Sequence, residues 1–139
     1  MTTETSAAEP RRILIADDAF DSRQLLARLL RQFTRAQLIE VRDGLTAIER
    51  FELVKPQLTF LDIDMPGKDG MQVLERIREV DAKAFVVIVS GFGALKNVQA
   101  AVAAGVSGFV VKPYRAQRIV DVLHTYRSES GDELLLRAA

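Results

Sequence analysis

The residues of this 139-residue chain best suited to chemistry are acidic, and they come as a spaced set. Asp17 and Asp18 follow the apolar run Ile13-Leu14-Ile15-Ala16. Asp62 follows Leu58-Thr59-Phe60-Leu61 and leads into Ile63-Asp64. Ser90 closes the run from Phe85 to Val89, and Lys112 closes Phe109-Val110-Val111. Carboxylates crowded together repel and resist joint ionisation unless a cation sits among them. Oxygen ligands without thiolate or imidazole suit Mg²⁺, which binds through few carboxylates and keeps several waters. A carboxylate can also attack phosphorus, giving an aspartyl-phosphate. The charge on the equatorial oxygens of the transferring group then calls for a metal, an ammonium and a hydroxyl. Asp17, Asp18, Asp62, Ser90 and Lys112 supply that set.

These residues can meet only if the apolar runs before them are strands ending on one rim. The runs are β-branched or aromatic and continuous, as suits strands covered on both faces of a parallel sheet. A fifth candidate, Gln37-Leu38-Ile39-Glu40-Val41, mixes polar and apolar residues as an edge strand does. Amphipathic helical stripes lie between the strands. They are Leu25, Leu26, Leu29, Leu30 and Phe33; Leu45, Ile48 and Phe51; Met71, Leu74 and Ile77; Leu95, Val98 and Val102; and Ile119, Val120, Leu123 and Tyr126. Asp43-Gly44 opens the second and Lys55-Pro56 stops it, while Gly105 closes the fourth. Strand then helix, five times over, implies right-handed crossovers and a doubly wound sheet, with the working crevice beyond the carboxyl ends of the strands. Periodicity alone leaves two strand orders open, a Rossmann half and the flavodoxin-like order 2-1-3-4-5.

Composition removes other functions. Lys plus Arg and Asp plus Glu stand at 19 each, so net charge is zero and nucleic-acid binding by bulk charge is disfavoured. There is no Cys and one His, which excludes disulfides, thiolate catalysis and the common zinc sites. No run is long enough to span a membrane, and the first ten residues lack a signal peptide's basic start and apolar stretch. A cytoplasmic protein is expected. Its parts would be a disordered lead-in over 1–10, one domain over 11–127, and a short tail over 128–139 in which Leu134-Leu135-Leu136 could dock.

Four motifs in order, each at a strand end, carry a resemblance: Ile15-Ala16-Asp17-Asp18, Leu61-Asp62-Ile63-Asp64-Met65-Pro66-Gly67-Lys68-Asp69-Gly70, Ile88-Val89-Ser90-Gly91, and Gly108-Phe109-Val110-Val111-Lys112-Pro113. The chain resembles the receiver domain of two-component response regulators, the CheY-like family. That resemblance implies an α/β, flavodoxin-like fold with a five-stranded parallel sheet in the order 2-1-3-4-5 and five helices. It implies that Asp62 accepts a phosphoryl group from a histidine kinase or phosphotransfer protein. Asp18 and Asp62 would ligate Mg²⁺ directly, Asp17 largely through water, and Asp64 through its backbone carbonyl. Ser90 and Lys112 would hold phosphoryl oxygens, Phe109 would be the switch aromatic, and Lys112-Pro113 would be cis.

The implied function is a stand-alone signalling receiver, not a turnover enzyme, beyond self-phosphorylation from small donors and loss of its own phosphate. Its output would be contact with a downstream protein, or a homodimer, through the fourth helix, fifth strand and fifth helix. There Lys96, Lys112, Arg115, Arg118 and Arg127 outnumber Asp121. Gly91 departs from the usual Ala, Phe92 would shield the acyl phosphate, and Asp64 would orient an attacking water. Asp69-Gly70 reads as a turn and helix start, and His124 as a helix-surface residue. Two alternatives compete: a receiver cut from a larger regulator with an output domain, and a haloacid-dehalogenase-type Mg²⁺-dependent phosphatase using Asp62-Ile63-Asp64.

Overall fold

A computed structural model describes residues 10–65, 70–91 and 95–136, with the side chains of 95–98 left aside. The expected lead-in lies outside these residues apart from Pro10, and so does Phe92. The elements alternate: β1 (Arg12–Ala16), α1 (Phe20–Phe33), β2 (Gln37–Val41), α2 (Gly44–Val54), β3 (Leu58–Asp62), α3 (Gly70–Val80), β4 (Phe85–Ser90), α4 (Leu95–Ala103), β5 (Gly108–Val111) and α5 (Ala116–Ser130). All four strand pairings are parallel and the order is β2-β1-β3-β4-β5. This is the flavodoxin-like order, and it brings the ends of β1, β3 and β4 side by side.

The continuous apolar runs have a physical reason. Alternate residues of β1, β3 and β4 enter two separate cores, one on each face of the sheet. Ile13, Ile15, Leu58, Phe60, Val87 and Val89 meet α1 and α5, while Leu14, Leu61, Val86 and Ile88 meet α2, α3 and α4. β2 is an edge strand, as its mixed sequence predicts. β5 is the other edge, and here the expectation of two covered faces fails: Val111 is 46% exposed.

The helical stripes also need correcting at single positions. Leu25, Leu45 and Val102 point outward; Leu26, Ala27 and Leu30, then Ala47 and Phe51, and finally Ala101 face the cores. Neighbouring apolar residues on a helix lie about 100° apart, so a run such as Leu25-Leu26 cannot send both inward. Small residues, Ala27, Ala47 and Ala101, take the innermost places and let the helices approach. Asp43 caps α2, accepting from the Thr46 amide at 2.8 Å. Lys55 takes a left-handed φ of 51° just before Pro56, and Gly105 follows α4 with φ 78°.

α5 runs to Ser130, three residues past Arg127, where Gly131 in the left-handed region (φ 75°) turns the chain back. Leu134 is then buried against α1 and α5, the Leu136 amide donates to the Phe33 carbonyl at 2.6 Å, and Leu135 bridges Thr34. Asp132 is clasped by Arg11 and by the Tyr126 hydroxyl (2.8 Å). The leucines after Arg127 therefore dock. Among the described residues no helix is long and apolar enough to cross a membrane.

Away from the rim, a buried hydroxyl on β3 is uncompensated. Thr59 is buried on β3, on the face of Leu61, and its hydroxyl has no hydrogen-bond partner. A buried hydroxyl without a partner retains its desolvation cost. Thr59→Val is expected to raise the unfolding free energy by about 1 kcal/mol, read as a higher urea midpoint with unchanged slope.

Candidate functional site

The site forms where three central strands run out. β1 ends at Ala16, and Asp17 stays in line through its amide, which donates to the Val41 carbonyl at 3.0 Å. Asp17 Oδ1 then accepts from the Ala19 amide at 2.9 Å, which turns the chain into α1. Asp62 is the last residue of β3, paired in register with Val89, and its Oδ1 accepts from the Asp64 amide at 2.7 Å. Both carboxylates are buried, while Asp18 is exposed at the rim. One carboxylate oxygen from each of Asp17, Asp18 and Asp62 lies within 4.8 Å of the others.

Lys112 reaches this cluster from the end of β5. Its Nζ stands 2.8 Å from Asp62 Oδ2 and 3.1 Å from Asp17 Oδ2. The Lys112–Pro113 bond is cis, as the resemblance implied. Ser90 is buried at the end of β4, and its carbonyl accepts from the Lys112 amide at 2.8 Å. The predicted residues thus fall at one end of the sheet: the carboxylates of Asp17, Asp18 and Asp62 and the ammonium of Lys112 cluster, and Ser90 is tied to Lys112 through the backbone. Asp64 is exposed beside Asp62. Phe109 lies on β5, half-buried, packed against the core that α4 covers. His124 is on the exposed side of α5.

Electrostatics follow from this packing. Burial opposes the charge on Lys112, but its bonds to Asp62 and Asp17 outweigh that and raise its pKa, so it stays an ammonium. Burial also opposes ionising Asp17, yet Ser22, the Ala19 amide and Lys112 hold its carboxyl below the usual value. At Asp62 burial dominates and, helped by the charge of Asp17, pushes the carboxyl up against the pull of Lys112 and the Asp64 amide. Among the described residues, three carboxylates facing one ammonium leave two negative charges uncompensated. Arg23 spends its guanidinium on Glu40 (3.1 Å) and the Asp17 carbonyl (2.8 Å). An all-oxygen donor set two charges short, with one carboxylate oxygen each of Asp17, Asp18 and Asp62 within 4.8 Å of the others, fits a hard divalent cation.

Sequence reasoning missed two neighbours. Ser22 in the first turn of α1 and Tyr114, two residues after Lys112, both present buried hydroxyls close to Asp17. Burial pushes the Tyr114 phenol up to about 12, so it remains a neutral donor. Neither has a spacing that announces it, since helix starts and loop aromatics are common. It missed Gly70 as well: an added Cβ there would lie 2.3 Å from Ile63 Cα and 2.7 Å from the Asp62 carbonyl oxygen. That glycine lets α3 sit against the strand end bearing Asp62.

Comparison with known proteins agrees with this geometry. Residues 13–124 match the model of the response regulator receiver domain. The chemotaxis protein CheY of Bacillus subtilis is 34% identical over 113 residues, which cover 81% of this chain and 94% of that protein. Sporulation initiation phosphotransferase F of Bacillus subtilis is 30% identical over 115 residues, covering 83% and 92%. The crystal structure of a CheY-like receiver domain protein from Methanospirillum hungatei superposes with a TM-score of 0.79 at 20% identity, over 87% of this chain and 96% of that one, which speaks for the fold. The chain belongs to the response regulator receiver family, the phosphoryl-accepting signalling domains of two-component systems.

Proposed function

We propose that Asp62 is the phosphoryl acceptor and that Asp17, Asp18 and Asp62, with the Asp64 carbonyl, hold Mg²⁺. The observation that carries the reading is the ammonium of Lys112 set between two buried carboxylates, one of them at the end of the central strand β3. When bound, the metal supplies positive charge against the carboxylates and the incoming phosphoryl oxygens. Asp62 attacks the phosphorus of a phosphohistidine on a histidine kinase or phosphotransfer protein. The Asp62 O–P bond forms as the P–N bond breaks, and the leaving imidazole nitrogen keeps the bonding pair and takes up a proton. Lys112 pairs with one phosphoryl oxygen and the Ser90 hydroxyl donates to another. Small phosphodonors such as acetyl phosphate react at the same oxygen, and water later releases the phosphate.

Phe109 is proposed as the switch. It lies on an edge strand, half-buried, and its carbonyl accepts from Arg118 on α5 at 2.6 Å, so a change at Ser90 and Lys112 reaches the α4–β5–α5 face through β5. That face would meet the downstream protein or a second copy. The functional unit would be residues 11–127 with the tail docked on it, working alone in the cytoplasm.

The test is intact-mass analysis after incubation with phosphoramidate and Mg²⁺. Wild type should gain one phosphoryl, stable to acid and labile to base, and Asp62→Asn should gain none. Equal labelling of the variant would overturn the assignment.

A further inference from the structure

Two buried hydroxyls beside the site, Ser22 and Tyr114, have no part in the chemistry above. Ser22 Oγ and Tyr114 Oη are shut off from solvent without a formed hydrogen bond, and Asp17 Oδ2, equally buried, has only its ion pair with Lys112 at 3.1 Å. They come from three separate places: the end of β1, the first turn of α1, and the loop between β5 and α5. The Ser22 hydroxyl lies close to both the Asp17 carboxylate and the Tyr114 phenol. Tyr114 is only 9% exposed and Asp17 1%, so bulk water cannot substitute for the missing partners. Buried polar groups in folded proteins nearly always find a partner, and a cluster of exceptions calls for a reason. Nothing in core packing supplies one: a phenylalanine at 114 and an alanine at 22 would fill the same space without the orphaned oxygens.

We propose that Tyr114 and Ser22 are positioning residues for Asp17, acting in series: the phenol donates to Ser22 Oγ, and the Ser22 hydroxyl donates to Asp17 Oδ2. Small turns of these two side chains close the relay. It fixes the carboxylate, so that Asp17 presents a set orientation to a divalent cation. The Ala19 amide already holds Oδ1 from the main chain and Lys112 pairs with Oδ2 at 3.1 Å, so the relay adds a neutral donor beside that ammonium. Hydrogen bonds to a ligating carboxylate contribute to affinity in this way, and their loss typically costs about 10- to 100-fold in metal binding. The same chain of bonds ties the loop carrying Lys112 to the start of α1. The inference rests on the Mg²⁺ reading of the carboxylate cluster.

The experiment is calorimetric titration of the full chain with MgCl₂, alongside thermal unfolding. Wild type, Tyr114→Phe, Ser22→Ala, the double variant, Ser22→Thr and Asp17→Asn are compared. The relay predicts that Tyr114→Phe and Ser22→Ala each weaken Mg²⁺ binding about 10-fold with little change in Tm. It predicts that the double variant is no weaker than the weaker single, and that Ser22→Thr, which keeps the hydroxyl, binds as wild type does. A purely structural role moves Tm and leaves Kd alone. An unchanged Kd in Tyr114→Phe, or losses that simply multiply in the double variant, would overturn the relay while leaving the metal reading intact. No Mg²⁺ binding by wild type, or unaltered binding by Asp17→Asn, would overturn the metal reading and the relay with it. The Ser22→Ala and Ser22→Thr pair decides the matter on its own should the tyrosine variant fail to fold.

Discussion

Lys112→Ala is expected to slow phosphoryl transfer to Asp62 by about 100- to 1,000-fold, the usual cost of removing one donor to developing oxyanion charge. The same change acts on stability. Lys112 is the cation within 3.1 Å of both Asp17 and Asp62, and its removal leaves two buried carboxylates facing each other. Breaking a buried ion pair from one side costs about 3–5 kcal/mol. Protonation is the cheapest relief, and it falls on Asp62, whose carboxyl burial already pushes up. A carboxyl with a raised folded pKa binds its proton more tightly folded than unfolded. The variant should therefore be most stable at acid pH and lose stability as pH rises from the ordinary 3.8 through the raised value. Mg²⁺ should restore part of the loss at neutral pH by mass action on the folded state. Urea unfolding at several pH values, with and without MgCl₂, measures all of this; a variant as stable as wild type at pH 7 without metal would show the carboxylates are not held against Lys112.

Gly70→Ala should be the most damaging single methyl in the described chain. Alanine favours helices over glycine by about 1 kcal/mol, so propensity alone predicts stabilisation. Sterics reverse the sign. The new Cβ would sit 2.3 Å from Ile63 Cα and 2.7 Å from the Asp62 carbonyl oxygen, both backbone atoms that cannot swing aside. α3 must back away from the end of β3, opening the core around Val73, Leu74 and Ile77. A net loss of about 2–3 kcal/mol is expected in urea unfolding, and because the clash is with Asp62 itself, phosphoryl labelling should slow as well. A variant of equal or greater stability would show that α3 is free to shift.

These two residues mark what could and could not be read from the chain. Asp62 and Lys112 were legible because each closes an apolar run, and in a parallel sheet every such run ends on the same rim. Strand existence was legible at β1, β3 and β4 because helices cover both faces. The order 2-1-3-4-5 was not legible from periodicity, which fits two windings equally; it came through the family resemblance. The buried side of each helix was only half legible, since Leu25, Leu45 and Val102 look as apolar as their buried neighbours. Gly70 looked like turn chemistry because its true constraint is a distance to another segment. Ser22 and Tyr114 were invisible for the same reason: they are 92 positions apart in number, and only the fold sets both against Asp17. The phosphatase reading of Asp62-Ile63-Asp64 does not stand. That pair begins at the end of the third strand of a receiver, and it is the Asp64 amide, not its carboxylate, that bonds Asp62.

Which carboxylate carries the phosphoryl group is the central question, since four of them lie at this rim. Wild-type protein labelled with phosphoramidate and Mg²⁺, reduced with borohydride and mapped by peptide mass spectrometry, answers it. Reduction converts the acyl phosphate to an alcohol and marks its position permanently. The account predicts homoserine at position 62 alone. A mark at position 17, 18 or 64 would contradict it.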